Sequence, residues 1–244
     1  MNKKLVMLTA YDYPTAKIVD EVGVDYLLVG DSLGMVVLGY PNTTFVTMQD
    51  MLHHVQAVAR GAKKSIIVAD MPIHTYDNTE DALKNAKLFI KAGAHMVKIE
   101  GNKPEIVKAL KKKNINVIGH LGLLPQTAET YRVQGKDRKA AQEIFQAAIN
   151  LENAGVQAII LECIPQRLAE KITQQLKVPS IGIGAGKFCD GQVLVLHDVI
   201  GLSGFQGKFV KQYANVRETI KNAVSAFKED VLKERFPAEK ESFL

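Results

Sequence analysis

Short, almost continuously apolar segments recur along the chain and alternate with longer segments whose apolar residues lie three and four positions apart. The short segments predict β-strands covered on both faces, which is typical of parallel sheets. The longer segments predict amphipathic helices packed against those strands. The predicted strands cover residues 5–8, 27–29, 65–68, 96–97, 117–118, 159–161 and 193–196.

Glycines end four of the predicted helices, each just before the next apolar segment. They are Gly23, Gly61, Gly93 and Gly155. Glycine suits a helix C-terminus because it adopts the left-handed backbone without strain from a Cβ atom. The intervals between these glycines are roughly 30 residues or twice that, close to the length of one strand–helix unit. Eight such units account for a chain of 244 residues, so the pattern predicts an α/β protein with a (β/α)8 barrel.

The domain organisation predicted from this pattern is simple. No linker rich in Pro, Ser or Gly interrupts the chain, so we expect residues 1–244 to form a single barrel domain. Residues 210–244 are expected to form a C-terminal helical tail, with an amphipathic helix over residues 216–235. An open, doubly wound sheet is the alternative fold, because the same succession of strands and helices serves both architectures.

Composition and charge exclude several classes of protein. The chain is 47% hydrophobic and 23% charged, which is ordinary for a globular protein and excludes a disordered chain. The net charge of +5 is spread among interleaved acidic residues, so we expect no nucleic-acid partner. Apolar runs stay well short of the ~18 residues that span a membrane. The two cysteines, Cys163 and Cys189, form no disulfide framework or zinc motif, which favours a cytoplasmic location.

Ionisable residues follow or close five consecutive predicted strands. The C-terminal ends of barrel strands converge on one mouth, where active sites lie. One such residue alone is readily explained as a helix cap, a turn former or a structural histidine. A whole ring of them is not, because burying charged groups is costly unless they pair or bind a ligand. These residues are Asp31, Asp70, Lys98, Glu100, His120 and Glu162.

The mixture of these side chains indicates a chemistry. Asp31, Asp70 and Glu100 supply hard oxygen ligands without cysteine, which favours Mg²⁺. Lys98 beside such a cation would attract an anion, and a 2-oxo acid carries a carboxylate next to a ketone that a cation can polarise. Glu162 is then a candidate base for a C–H proton next to that ketone.

The same residues stand in segments that resemble the ketopantoate hydroxymethyltransferase (3-methyl-2-oxobutanoate hydroxymethyltransferase) family from about Leu8 to Phe209. The resemblance implies a (β/α)8 barrel, one Mg²⁺ per subunit and a homodecamer. It also implies hydroxymethyl transfer from 5,10-methylenetetrahydrofolate to 3-methyl-2-oxobutanoate, which gives 2-dehydropantoate in pantothenate and coenzyme A biosynthesis. The matching segments are residues 9–12, 29–35, 69–72, 96–101, 119–123, 125–126, 131–135, 161–163, 181–186, 190–192 and 197–198.

The resemblance also implies a role for each site residue. Asp31 and Asp70 match metal ligands that also contact the substrate, and Glu100 matches a further metal-site carboxylate acting through water. Ser32, through its backbone N–H, and Lys98 match the groups that hold the substrate carboxylate. The remaining matches are His120, near the substrate, and Glu162, the catalytic proton acceptor. No folate-contacting residue is assigned.

Two other functions are compatible with the residues. One is a Mg²⁺-dependent C–C lyase or mutase of the isocitrate lyase and phosphoenolpyruvate mutase type, acting on a 2-oxo acid. Those enzymes carry a gating loop of the Lys-Lys-Cys-Gly-His type, which the sequence lacks. The other is a metal-dependent protein that binds a 2-oxo acid without catalysis. Such a protein needs no base, so the presence of Glu162 argues against it.

Overall fold

Eight parallel strands form a closed barrel in the computed structural model, which describes residues 4–243. Each strand pairs with the next along the chain, and β8 pairs with β1 to close the ring. The predicted (β/α)8 barrel is therefore confirmed, and the open sheet is excluded. The strands are β1 (Leu5–Thr9), β2 (Tyr26–Val29), β3 (Ile66–Asp70), β4 (Met96–Glu100), β5 (Asn116–Gly122), β6 (Ala158–Glu162), β7 (Ser180–Ile183) and β8 (Gly191–Leu194).

Helices follow the strands as the apolar periodicity predicts. Asp12, Asn78 and Asp137 begin three of them by accepting a backbone hydrogen bond in the first turn, which satisfies a donor that has no partner within the helix. The helices are α1 (Tyr13–Val22), α2 (Leu33–Val36), α3 (Met48–Gly61), α4 (Thr79–Ala92), α5 (Pro104–Lys111), α6 (Arg138–Ala154), α7 (Gln166–Gln175), α8 (Leu196–Val199) and α9 (Val216–Leu232).

Apolar side chains from all eight strands contribute to the interior of the barrel, and β4 does so through the partly buried Met96. Alternate residues of a strand point inward, so each strand contributes one or two of them. The residues facing the other way pack under the helices, which is why the strands lack an apolar–polar alternation. The buried interior cluster is Met7, Leu28, Val68, Ile118, Ala158, Ile160, Ile181 and Val193.

All four glycines predicted to end helices stand at a helix end, and three of them are left-handed caps. Gly23, Gly93 and Gly155 have positive φ angles of 85°, 109° and 104° and cap α1, α4 and α6. Only the predicted left-handed backbone is wrong for Gly61, which is the last helical residue of α3 and has no positive φ. A Cβ atom on Gly61 would lie 2.6 Å from the carbonyl oxygen of Tyr13. Close packing of α3 against α1, not a left-handed cap, therefore requires glycine there.

The chain divides into two compact units, one extending to Val195 and the other from Leu196 onward. The first contains the barrel. The second contains α8 and α9. The apolar residues Ile220, Val224 and Phe227 of α9 are exposed. The boundary between the two units lies before residue 210, where the predicted tail begins. The single barrel domain over residues 1–244 with a helical tail over 210–244 stays a prediction. Within residues 4–243, no helix combines the length and the apolar character needed to cross a membrane.

Asp20 joins helix α1 to the segment that leads into β3. Its buried carboxylate accepts hydrogen bonds from the backbone N–H groups of Lys63, Lys64 and Ser65 at 3.0, 2.9 and 2.7 Å. Burial alone would raise the pKa of Asp20, but the three N–H donors favour the ionised form and lower the pKa to about 2.

We expect Asp20→Asn to destabilise the protein by about 2 kcal/mol at pH 7, the worth of this pKa shift. The lowered pKa stabilises the fold above the pKa of the unfolded chain, and this stabilisation is lost as pH falls from about 4 to about 2. Urea unfolding across this range measures the effect, with Glu21→Gln, an exposed neighbour on α1, as the control. A variant-to-parent difference that does not shrink at low pH would contradict the assignment.

Candidate active site

The predicted ring of ionisable residues lies at the C-terminal rim of the barrel. Asp70, Lys98, Glu100 and His120 belong to β3, β4 and β5 themselves. The register places Asp70 opposite Lys98 and Glu100 opposite His120 on neighbouring strands. Asp31 follows β2, and Glu162 ends β6. Contacts between neighbouring members, described below, link all six predicted residues into one site.

A buried ion pair between Lys98 and Asp70 forms one half of the site. The Lys98 Nζ lies 2.7 Å from Oδ1 and 2.6 Å from Oδ2 of Asp70, and 3.5 Å from Oε1 of Glu100. Burial would lower the pKa of Lys98, but the surrounding carboxylates of Asp70, Glu100 and Asp31 raise it above its ordinary value. Lys98 therefore stays positively charged. It faces the carboxylates of Asp70 on β3, Glu100 on β4 and Asp31 just after β2.

Asp31 is the carboxylate without a cationic partner. It is 4% exposed, and no cationic side chain among residues 4–243 forms an ion pair with it. Its backbone N–H lies 3.4 Å from Oδ2 of Asp70, which brings the two aspartates together. Burial and the negative charge of Asp70 raise the pKa of Asp31 well above its ordinary value. Asp31 therefore favours the presence of an additional positive charge.

His120 lies between two carboxylates. Its Nδ1 is 3.2 Å from Oε1 of Glu100 and its Nε2 is 3.3 Å from Oε2 of Glu162. Neither contact has the alignment of a hydrogen bond. Burial and Lys98 lower the pKa of His120, yet the two carboxylates prevail and raise it to about 9. Burial would likewise raise the pKa of Glu100, but Lys98 and His120 lower it to about 2.

Glu162 differs from the other acids in its access to the mouth of the barrel. Its side chain is 16% exposed, against 2–3% for Asp70 and Glu100. The next residue, Cys163, has a φ of 47°, a strained conformation that is frequent at functional sites. Across the sheet, a Cβ on Gly122 would lie 2.1 Å from the carbonyl oxygen of Glu162, so only glycine allows this approach.

Ser32 follows Asp31 at the start of α2. Its hydroxyl lies 2.8 Å from the hydroxyl of Tyr11, which is buried. The N–H groups of the first turn of α2 donate to backbone carbonyl oxygens, whereas the N–H of Ser32 donates to none within residues 4–243. Ser32 therefore presents a backbone donor next to the aspartate carboxylates.

The structure does not contain a preformed cation cage. No group of three or more His, Cys, Asp and Glu side chains in the described part of the chain has the spacing of a metal site. The ammonium group of Lys98 contacts both oxygens of Asp70. The residues nevertheless fit a divalent cation in chemistry, because Asp31, Asp70 and Glu100 are buried oxygen donors and no cation within residues 4–243 forms an ion pair with Asp31.

Two buried residues that touch this site were not singled out by the sequence analysis. Gln126 donates to Asp31, and Tyr76 accepts from the backbone N–H of Glu100 and donates to Gln126. Gln126 lies within a segment that resembles the family, whereas Tyr76 lies outside all of those segments. Both stand in loops, where no apolar period marks a residue as buried.

Solved structures of similar fold come from several enzymes. A phosphonopyruvate hydrolase in complex with oxalate and Mg²⁺ superimposes with a TM-score of 0.61 at 15% identity, covering 98% of this chain and 88% of that one. The phosphoenolpyruvate phosphomutase from Streptomyces platensis subsp. rosaceus gives a TM-score of 0.64 at 15% identity, with coverages of 100% and 88%. At such identities the similarity establishes the barrel fold alone.

Sequence comparison is far more specific. The profile of the family described as ketopantoate hydroxymethyltransferase matches residues 1–239. Proteins named 3-methyl-2-oxobutanoate hydroxymethyltransferase are 50% identical in Thermoanaerobacter sp. (strain X514), over 99% of this chain and 91% of that protein, and 51% identical in Syntrophus aciditrophicus (strain SB), over 100% and 92%. The chain therefore belongs to the ketopantoate hydroxymethyltransferase family of enzymes, whose reaction is a hydroxymethyl transfer in pantothenate synthesis.

Proposed function

We propose that this enzyme transfers a hydroxymethyl group from 5,10-methylenetetrahydrofolate to 3-methyl-2-oxobutanoate with the help of Mg²⁺, forming 2-dehydropantoate. The observation that carries the proposal is the buried cluster at the barrel mouth, where Asp31 and Asp70 meet beside Lys98. A 2-oxo acid has the features that such a cluster recognises: a carboxylate for Lys98 and a ketone for a cation. Family membership identifies the class of reaction.

Asp31, Asp70 and Glu100 are the residues that would hold one Mg²⁺ per subunit. Around Asp31 the site carries more buried negative than positive charge. Burial and the proximity of Asp70 raise the pKa of the Asp31 carboxyl. When bound, the cation would withdraw electron density from the ketone and so acidify the neighbouring C–H bond. Asp70 would hold the cation with a carboxylate that also contacts Lys98.

Lys98 and Ser32 are proposed to hold the substrate carboxylate. The ammonium group of Lys98 is fixed between acidic side chains and stays charged, so it can hold an anion without losing its proton. The backbone N–H of Ser32 adds a directional donor close to Asp31. These contacts orient the substrate, and His120 lies between Glu100 and Glu162 on the far side of the site.

Glu162 is proposed to accept the proton from C3 of 3-methyl-2-oxobutanoate. Its partial exposure leaves it within reach of a substrate in the mouth, and His120 lies 3.3 Å from the carboxylate on its buried side. The carbon that loses this proton then bonds to the methylene-derived carbon of the folate, and water supplies the hydroxyl oxygen. Tetrahydrofolate is the other product. The residues that contact the folate are not assigned.

The assembly and location of the enzyme are proposed from the resemblance. We infer a cytoplasmic homodecamer that binds the 2-oxo acid and the folate and has no nucleic-acid or membrane partner. Both cysteines are free thiols, which agrees with a reducing compartment. The exposed apolar side chains of Ile220, Val224 and Phe227 on α9 are of the kind that subunit contacts cover. Sedimentation velocity measures the number of subunits.

Proton exchange tests the proposed function directly. We expect the protein, incubated with 3-methyl-2-oxobutanoate in D2O, to replace the C3 proton with deuterium when Mg²⁺ is present and not in excess EDTA. The NMR signal of that proton measures the exchange. Addition of 5,10-methylenetetrahydrofolate should then produce 2-dehydropantoate. Failure to form this product with metal, both substrates and folded protein present would reject the proposal.

A further inference from the structure

A glutamine lies buried between the carboxylates of the site. Gln126 is 3% exposed and follows β5 in the loop that leads toward α6. Its side-chain Nε2 donates to Oδ2 of Asp31 at 2.8 Å and to the carbonyl oxygen of Met71 at 2.9 Å. Its backbone N–H donates to Oε2 of Glu100 at 3.2 Å. One residue therefore contacts two of the proposed metal-site carboxylates and the chain segment directly after Asp70.

The hydrogen-bond network determines the orientation of the Gln126 amide. Both acceptors on one side, the Asp31 carboxylate and the Met71 carbonyl, require the NH2 group there. The amide oxygen accordingly accepts from the hydroxyl of Tyr76, which itself accepts from the backbone N–H of Glu100 at 3.2 Å. Both amide hydrogens and the amide oxygen are paired, so rotation of the side chain would break several buried hydrogen bonds.

The neutral character of the amide matters for the charge of the site. Asp31 is repelled by Asp70 and Glu100, so without a donor its side chain would turn away from them. A lysine or arginine in place of Gln126 would hold Asp31 but would also neutralise its charge. An amide holds the carboxylate and leaves its negative charge available to a cation.

We propose that Gln126, supported by Tyr76, is a positioning residue that holds Asp31 and Glu100 in the arrangement that receives a divalent cation. The inference rests on the proposed function, because it assumes that these carboxylates bind a metal. Groups that orient metal ligands commonly account for about 10- to 100-fold in metal affinity. Loss of Gln126 should therefore weaken metal binding, whereas loss of a ligand itself should remove it.

The test measures Mn²⁺ binding to the full chain by electron paramagnetic resonance, without substrate. Gln126→Met keeps the size of the side chain and removes its polar atoms, and we expect the dissociation constant for Mn²⁺ to rise about 10- to 100-fold. Tyr76→Phe removes one neutral hydrogen bond from the network and should raise it about three- to tenfold. Gln142→Met, an exposed glutamine on α6, is the matched control and should bind like the parent.

Each outcome has a distinct meaning. A parent protein that binds no Mn²⁺ would overturn the metal site and, with it, the role of Gln126. A parent that binds Mn²⁺ while Gln126→Met binds within twofold of it would overturn the role of Gln126 alone. Circular dichroism melts establish whether the variants are folded. If Gln126→Met does not fold, Tyr76→Phe decides: an unchanged dissociation constant overturns the inference, and a rise of the expected size supports it.

Discussion

Replacement of Asp31 with asparagine should abolish transferase activity and yet leave the metal-free protein at least as stable as the parent. The asparagine keeps an oxygen that can accept the hydrogen bond from Gln126. It also removes a buried charge that Asp70 and Glu100 repel and that has a raised pKa. Loss of a ligand charge should cost several kcal/mol of cation binding, so turnover should fall by about 10³-fold or more.

Formation of 2-dehydropantoate and thermal melts in EDTA measure the two halves of this prediction. Asp77→Asn is the matched control, because the Asp77 side chain is 57% exposed and its one ion pair within residues 4–243 is with His74 at the surface. Surface pairs of this kind contribute little to stability, so the control should keep both activity and melting temperature. Activity of Asp31→Asn within tenfold of the parent would show that Asp31 is not a metal ligand.

The second large effect is expected at Glu162. Glu162→Gln preserves the shape of the side chain and removes the base, so turnover should fall by about 10²- to 10⁴-fold, the usual contribution of a general base. Binding of 3-methyl-2-oxobutanoate should change little, because Lys98 and Ser32 are the proposed carboxylate contacts. The expected signature is a fall in kcat with a nearly unchanged KM.

Steady-state kinetics and the deuterium exchange of the C3 proton both report on this variant. Exchange should slow in parallel with turnover if Glu162 accepts that proton. Glu143→Gln, at an exposed position on α6, is the control for loss of a carboxylate elsewhere on the chain. Near-normal turnover of Glu162→Gln would remove Glu162 from the mechanism, and another group would then have to accept the proton.

Much of the fold follows from local rules. The apolar strands are buried on both faces, and this leaves a signal that needs no knowledge of their partners. Gly23, Gly93 and Gly155 follow from backbone geometry, because a left-handed cap is a local requirement. Gly61 does not follow from such a local rule. Position 61 requires glycine because the backbone of Tyr13, in another helix, approaches it closely.

The site divides in the same way. The sequence alone determined which residues stand at the barrel mouth, because each of Asp31, Asp70 and Glu162 follows or closes an apolar strand and strand ends converge. Three features of the site emerge only from the folded chain: the Lys98 ammonium group contacts both oxygens of Asp70, His120 lies between two acids, and Gln126 donates to Asp31. Such contacts join residues that are distant along the chain, and they depend on side-chain directions and charge balance, which no local pattern records.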